Sequence, residues 1–249
     1  MKAIILAAGE GKRLAPLTLK VPKAMVEYNG KPIIIRTIET LKYFNINQIA
    51  AIVGYKKECI ENIIKDCFFN PEFASSNMVY SLSFGKDFVY NTNDDFIVSY
   101  GDIIYSKEVI EKLIYDENSD ISLVTDKSWK KLWKIRMDNI YSDVETFKVK
   151  NNKVIELGKK TDREEDIEGQ YIGLFKVHKH RVKDFFDIYN KLSLSLDQNR
   201  WKNMYMTDYI QYLIDNGWNI KPVWINGNWL EIDTVEDIEN YKLANFDIF

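Results

Sequence analysis

The chain has 249 residues, enough for one complete hydrophobic core, and its 46% apolar and 29% charged residues exclude wholesale disorder. Lys and Arg number 34 against 37 Asp and Glu, a formal charge of -3, so the basic face of a general nucleic-acid binder is not expected. No apolar run approaches the ~20 residues of a membrane span, and the opening MKAIILAAGEGKRL turns to glycine and charge too soon for a signal peptide or anchor.

Residues 3–6 read as a short buried strand. Pro32 stands where a helix begins, with Ile34, Ile38 and Leu41 at helical spacing. Residues 49–53 form a second strand run ending at Gly54, and 56–66 and 78–88 carry helical patterns. The run 96–99 is a strand, followed by Tyr100, Gly101 and Asp102; 109–113 is helical and 121–124 a strand. Farther on, 145–149 and 153–157 form a hairpin around Asn151-Asn152, 171–177 is a strand and 181–192 a helix. Residues 206–216 form a helix ending at Gly217, then come a strand at 220–225 and a closing helix at 235–243. The charged stretch 159–166 reads as a mobile surface loop. Strands alternating with helices over short connections predict an α/β fold: a Rossmann-like, mostly parallel sheet with helices on both faces. One domain spans 1–249, with a small β-containing lobe inserted at about 126–169. On a 56–66 helix Cys59 and Cys67 lie roughly 12 Å apart, beyond the ~7 Å of a disulfide, which predicts free thiols and a cytoplasmic setting. His178 and His180 are the only histidines, too few for a structural zinc centre.

The informative segment is Leu6-Ala7-Ala8-Gly9-Glu10-Gly11-Lys12-Arg13-Leu14, where a buried strand empties into two glycines and two cations. Glycines let backbone N–H groups approach an anion, and Arg13 adds a charge-assisted bond to a phosphate oxygen. A tight turn with solvated cations fits the glycines alone equally well. The dinucleotide fingerprint fails because Leu14 replaces its third glycine, and the Walker loop fails because Arg13 follows Gly11-Lys12.

With Pro22-Lys23 following at the family spacing, this segment resembles the opening of the nucleotidyltransferase superfamily that activates sugar phosphates and related phosphoesters. The resemblance implies that fold and a reaction in which a substrate phosphate attacks the α-phosphorus of a nucleoside triphosphate and releases pyrophosphate. It implies a nucleotide cradle from Leu6, Ala7, Ala8, Gly9, Glu10, Gly11 and Lys12, with Gly101 and Asn77 also at the nucleotide. Arg13, Lys23 and Lys160 would serve as catalytic cations, and Mg²⁺ as cofactor on Asp102, Asp233 and Glu231. Lys23 reads otherwise as a surface lysine, Asp233 as a helix cap, and Asn77 as an N-cap. The Asn77 segment resembles the cytidylyltransferases for choline phosphate and aminoethylphosphonate, which implies CTP. Residues 126–137, 169–174 and 203–211 resemble the small cytidylyltransferases of bacterial capsule synthesis that take L-glutamine phosphate. For this small phosphorylated acceptor, Arg136 is assigned to a carboxylate, Asp208 to an ammonium, and Trp129 and Trp133 to the pocket wall, although the tryptophans at i, i+4 equally fit a core. Choline phosphate, aminoethylphosphonate and hexose 1-phosphate stay open as acceptors, and a nucleotide-sensing subunit is the non-enzyme alternative. No nucleic acid or membrane partner is expected, and the assembly is left open, a homodimer included.

Overall fold

The apolar runs of the sequence become strands of one seven-stranded sheet in a computed structural model that describes residues 1–244 and 248. The first half of the chain contains β1 (Lys2–Ala7), β2 (Glu27–Tyr28), β3 (Lys31–Pro32), α1 (Ile33–Tyr43), β4 (Gln48–Val53), α2 (Glu58–Glu61), β5 (Asp66–Phe69), α3 (Met78–Ser83), α4 (Lys86–Val89), β6 (Phe96–Tyr100), β7 (Ile103–Tyr105), α5 (Lys107–Tyr115) and β8 (Ile121–Asp126). The second half contains α6 (Trp129–Arg136), β9 (Glu145–Lys150), β10 (Lys153–Lys160), β11 (Gln170–Val177), α7 (Val182–Leu192), α8 (Gln198–Lys202), α9 (Met206–Asp215), β12 (Ile220–Ile225), β13 (Trp229–Glu231) and α10 (Val235–Leu243). The sheet order is β12-β8-β11-β6-β1-β4-β5. Neighbours are parallel except at β11, which runs antiparallel to both β6 and β8.

Side chains alternate across a strand, and β1 sorts its residues accordingly. Ala3, Ile5 and Ala7 join a core with Ile34, Ile38 and Leu41 of α1, Val109 and Leu113 of α5, and Ile238 and Tyr241 of α10. Ile4 faces the other layer, with Val79 and Leu82 of α3, Phe185 and Tyr189 of α7, and Tyr209 and Leu213 of α9. The sheet is thus covered on both faces, as the alternation of elements predicts.

Three expectations change. The 56–66 helix survives only as α2, because Asp66 to Phe69 pair with Ala50 to Val53 of β4 and become the edge strand β5. Both thiols are free, but the helical spacing is not the reason. The 78–88 helix breaks into α3 and α4, with Gly85 at the N-cap of the second. Lys159 and Lys160 close β10 instead of opening a loop, and Asp166 is tied to Lys148 at 2.8 Å.

Between β8 and β11 the chain makes α6 and the β9–β10 hairpin. Asn151 and Asn152 both take left-handed conformations at its turn, with φ of 53° and 58°. The hairpin leans on α9: Leu157 donates its N–H to Gln211 Oε1 at 2.8 Å, and Phe147, Val154 and Leu157 share the core of Tyr209 and Ile210.

Candidate active site

β1 lies between β4 and β6, so connections leaving its C-terminal edge diverge to opposite sides and open a crevice there. The glycine loop fills that edge. Gly11 has φ +71°, and a Cβ on it would lie 2.8 Å from Lys23 Cβ, so only glycine lets the loop fold against the turn that carries Lys23. Beside it, Gly101 donates its N–H to Leu6 O at 2.9 Å, an approach closed to a larger residue because a Cβ would stand 2.6 Å from that oxygen. The end of β6 is thereby pressed onto β1, and Asp102 enters the crevice.

The other acids arrive from the far end of the chain. β13 pairs antiparallel with β7, Glu231 opposite Ile103, and Ile232 donates its N–H to Asp102 O at 2.9 Å. One oxygen each from Asp102, Glu231 and Asp233 then lies within 4.8 Å of the others. Thr234 caps α10 in a reciprocal capping box with Asp237, which leaves the Asp233 carboxylate for the cluster.

Cations hold the acids together. Lys23 Nζ donates to Asp102 at 2.8 Å and also to Asp233, while Arg13 reaches Asp233 at 2.6 Å. Arg136 pairs with Glu231 and, at 3.0 Å, with Asp237. Burial opposes the charge on Lys23, but Asp102, Asp233 and Glu231 outweigh it and hold the ammonium above its ordinary value. Burial, reinforced by Asp233 and Asp102 and opposed by Arg136, pushes Glu231 up to about 7. Burial also works against an ionised Asp233, yet Lys23, Arg13 and Arg136 bring it below the usual carboxylate range. Asp102 Oδ1 is buried without a partner. Three hard oxygen donors and that orphaned atom fit a divalent cation of the Mg²⁺ kind.

Two cavities meet at this cluster, of about 350 Å³ and about 400 Å³, sharing Arg13, Lys23, Met78, Tyr100, Asp102 and Asp233. Leu6, Ala7, Ala8, Gly9, Gly11, Lys12, Asn77 and Gly101 line the first. Glu10 does not line it, its carboxylate lying 3.7 Å from Lys12 Nζ. Asn77 is also the N-cap of α3, accepting the Met78 N–H at 2.7 Å. Glu231 and Trp133 line the second cavity.

The structure moves four expected residues away from the pockets. The Arg136 side chain is 1% exposed and saturated by acids, so it is closed to an acceptor carboxylate. Trp129 is buried edge-to-face on Trp133, their rings 6.0 Å apart, and is core. Asp208 lines a separate surface cavity with Tyr212 and Asp215. Lys160 is exposed at the end of β10, opposite Glu145 in the hairpin register, and lines neither cavity.

The second cavity instead contains Asp143, Glu145, Gln170, Tyr171 and Thr207, which sequence reasoning missed. Burial pushes the Asp143 and Glu145 carboxyls up, and Asp143 and Asp208 add to the effect on Glu145 while Lys160 opposes it. Behind the first cavity, fully buried Asn70 donates to Ser76 Oγ at 3.0 Å and to Ser81 Oγ at 2.9 Å.

Comparison with known proteins adds to the geometry. Residues 2–131 match the family model described as nucleotidyl transferase. A Campylobacter jejuni protein named CTP:phosphoglutamine cytidylyltransferase is 43% identical over 249 aligned residues, covering 96% of this chain and 98% of its own length. The choline-phosphate cytidylyltransferase of Streptococcus pneumoniae is 46% identical over 97 residues, 37% of this chain and 42% of that one. The solved CTP:phosphocholine cytidylyltransferase of S. pneumoniae superposes with a TM-score of 0.76 over 98% of both chains at 24% identity, a likeness of fold.

Proposed function

The chain belongs to the nucleotidyl transferase family, and from that premise we propose that it is a Mg²⁺-dependent cytidylyltransferase that transfers CMP from CTP to L-glutamine phosphate, giving CDP-L-glutamine and pyrophosphate. The carrying observation is that Arg13, Lys23, Asp102 and Asp233 form the shared wall of two cavities, one built on the glycine loop and one on the second half of the chain. The choice of CTP and of the acceptor is supported by the identity along nearly the whole length of the Campylobacter relative.

The triphosphate lies on residues 8–13, whose N–H groups and Arg13 cradle the β- and γ-phosphates. The pyrimidine extends toward Asn77 and Ser81, and Lys23 faces the α-phosphate from the wall common to both cavities. An acceptor phosphate oxygen in the second cavity forms the new bond to the α-phosphorus, and pyrophosphate departs with the electrons of the broken bond. Mg²⁺ held by Asp102, Glu231 and Asp233 would supply neutralisation of phosphate oxygens when bound. What the chain itself contributes is alignment of the two phosphates and fixed positive charge where negative charge accumulates. The two free thiols support a reducing, cytoplasmic setting, and an L-glutamine phosphate acceptor places the product in capsular polysaccharide modification.

Pyrophosphate release from each nucleoside triphosphate with a panel of phosphorylated acceptors tests the proposal. CTP with L-glutamine phosphate should be the preferred pair, and Asp102→Asn should nearly abolish turnover while nucleotide still binds. Preference for a hexose 1-phosphate with UTP or dTTP would refute the branch, and normal turnover of Asp102→Asn would refute the metal assignment.

A further inference from the structure

The second cavity contains polar groups for which phosphate transfer alone has no use. We propose that it holds a subsite for the head of an α-amino acid, with the carboxylate at the N-terminus of α9 and the ammonium on Glu145 and Asp143. This rests on the reading of the cavity as the acceptor pocket, and it states what the acceptor must carry besides its phosphate.

The first N–H groups of α9 belong to Met206, Thr207 and Asp208, and Tyr205 at the N-cap offers them no side-chain acceptor. The start of a helix leaves such groups without intrahelical partners and gives them a partial positive charge suited to a carboxylate. Tyr205, Met206 and Thr207 all line the cavity. Thr207 adds an independent sign of a ligand: the residue is 8% exposed, yet its hydroxyl has no hydrogen-bond partner among the described residues. A hydroxyl on a cavity wall with no protein partner keeps its donor and its lone pairs for a molecule in the cavity.

Asp143 and Glu145 line the same cavity, and among the described residues neither carboxylate has a hydrogen bond or ion pair. Gln170 fixes the start of β9 by donating Nε2 to Glu145 O at 2.7 Å. Acids without an ion-pair partner beside a place for phosphates repel those phosphates; Arg136, Arg13 and Lys160 offset this only from a distance, and among the described residues no Lys or Arg other than Arg13 and Lys23 lines the cavity. A free ammonium supplies a cation there. A choline head would pair its charge with the acids and leave the helix start and Thr207 unfilled, and a hexose would bring hydroxyls but no charge to either. A zwitterionic head matches the charge of both.

Calorimetric binding to the full chain, saturated with Mg²⁺ and a CTP analogue that cannot be cleaved, tests the subsite. The probes are L-glutamine phosphate, its analogue without the α-amine, and its analogue without the α-carboxylate. Loss of either group should weaken binding by about 10- to 100-fold. Glu145→Gln should weaken the parent by about tenfold or more and leave the amine-free analogue unchanged, while Thr207→Val should weaken the parent and leave the carboxylate-free analogue unchanged. General damage to the fold cannot produce this crossed pattern. Equal binding of all three probes, or equal weakening of all three by either variant, would overturn the subsite. The rise in melting temperature conferred by CTP reads the underlying assignment separately. No rise overturns cytidylyl transfer and the subsite with it, and a normal rise with equal binding of the three probes overturns the subsite alone.

Discussion

Lys23→Met removes the ammonium that donates to both Asp102 and Asp233 and replaces it with an apolar chain of similar length. The lysine side chain is 15% exposed and its two partners 22% and 10%, so solvent screens the contacts little. Each hydrogen bond between charged groups is worth about 1.5–3 kcal/mol, and removing one member of a buried ion pair costs about 3–5 kcal/mol because the other is left uncompensated. Arg13 and Arg136 remain beside the acids, which places the loss near the lower end, about 3 kcal/mol. For a chain of this size that lowers the melting temperature by about 6 °C. The measurement is a thermal melt followed by circular dichroism in excess EDTA and again with Mg²⁺. In EDTA the variant should melt about 6 °C below the unmodified protein. With Mg²⁺ the gap should narrow, because a divalent ion no longer competes with a resident ammonium for two of the three carboxylates and stabilises in proportion to its improved binding. A variant that melts within about 2 °C of the parent in EDTA, or that gains no more from Mg²⁺ than the parent does, would refute the view that Lys23 balances the charge of this cluster.

Arg13→Ala should separate stability from activity: the side chain is 69% exposed, so melting should shift by the equivalent of less than about 1 kcal/mol. kcat/KM for CTP should fall about 100-fold, and unchanged kinetics would make Arg13 an ordinary surface residue. Asn70→Asp bears on the choice of base. Asn70 donates to both serines, and Ser76 passes its own proton to Glu72 O at 2.7 Å, which leaves the Ser81 hydroxyl proton free to donate into the nucleotide cavity. An aspartate accepts instead, so the preference for CTP over UTP should drop about tenfold, and an equal loss with both nucleotides would refute the assignment. Asp120 accepts from Arg181 at 2.9 Å and from the Asn219 N–H at 2.8 Å, with His180 Nε2 at 2.9 Å. Burial resists its ionisation, but these partners hold the carboxyl below its ordinary value. A depressed folded-state value means that its contribution is complete above about pH 4 and is lost as pH falls further. Asp120→Asn should therefore melt below the parent at neutral pH, with the difference closing in acid; a constant difference would refute the argument.

What the sequence makes legible is local. The glycine loop, Arg13, Lys23 and the strand ending at Asp102 occupy short stretches whose residue types declare their geometry. The junction of β7 with β13 has no such signature, because two three-residue strands more than a hundred positions apart carry no readable period. Glu231 and Asp233 are therefore recognisable only by resemblance. Arg136 shows the opposite difficulty. A cation on an aromatic helix face looks the same in sequence whether it meets a ligand or a buried acid, and here Glu231 and Asp237 decide it. The 56–66 region fails for a related reason, since its helical pattern loses to pairing with β4. Asp143, Glu145 and Thr207 come together only because the hairpin packs on α9, which no local pattern announces.

The ribbon joining β7 to β13 also orders events in time. A polypeptide emerging from the ribosome presents its glycine loop, both basic residues and Asp102 long before residues 231 and 233 have been made. Until β13 pairs with β7, Asp102 stands without the two acids that complete the cluster. Because Ile238 and Tyr241 of α10 share the core of β1, a chain cut short of that helix loses part of the packing under the glycine loop together with Asp233, the partner of Arg13 and Lys23.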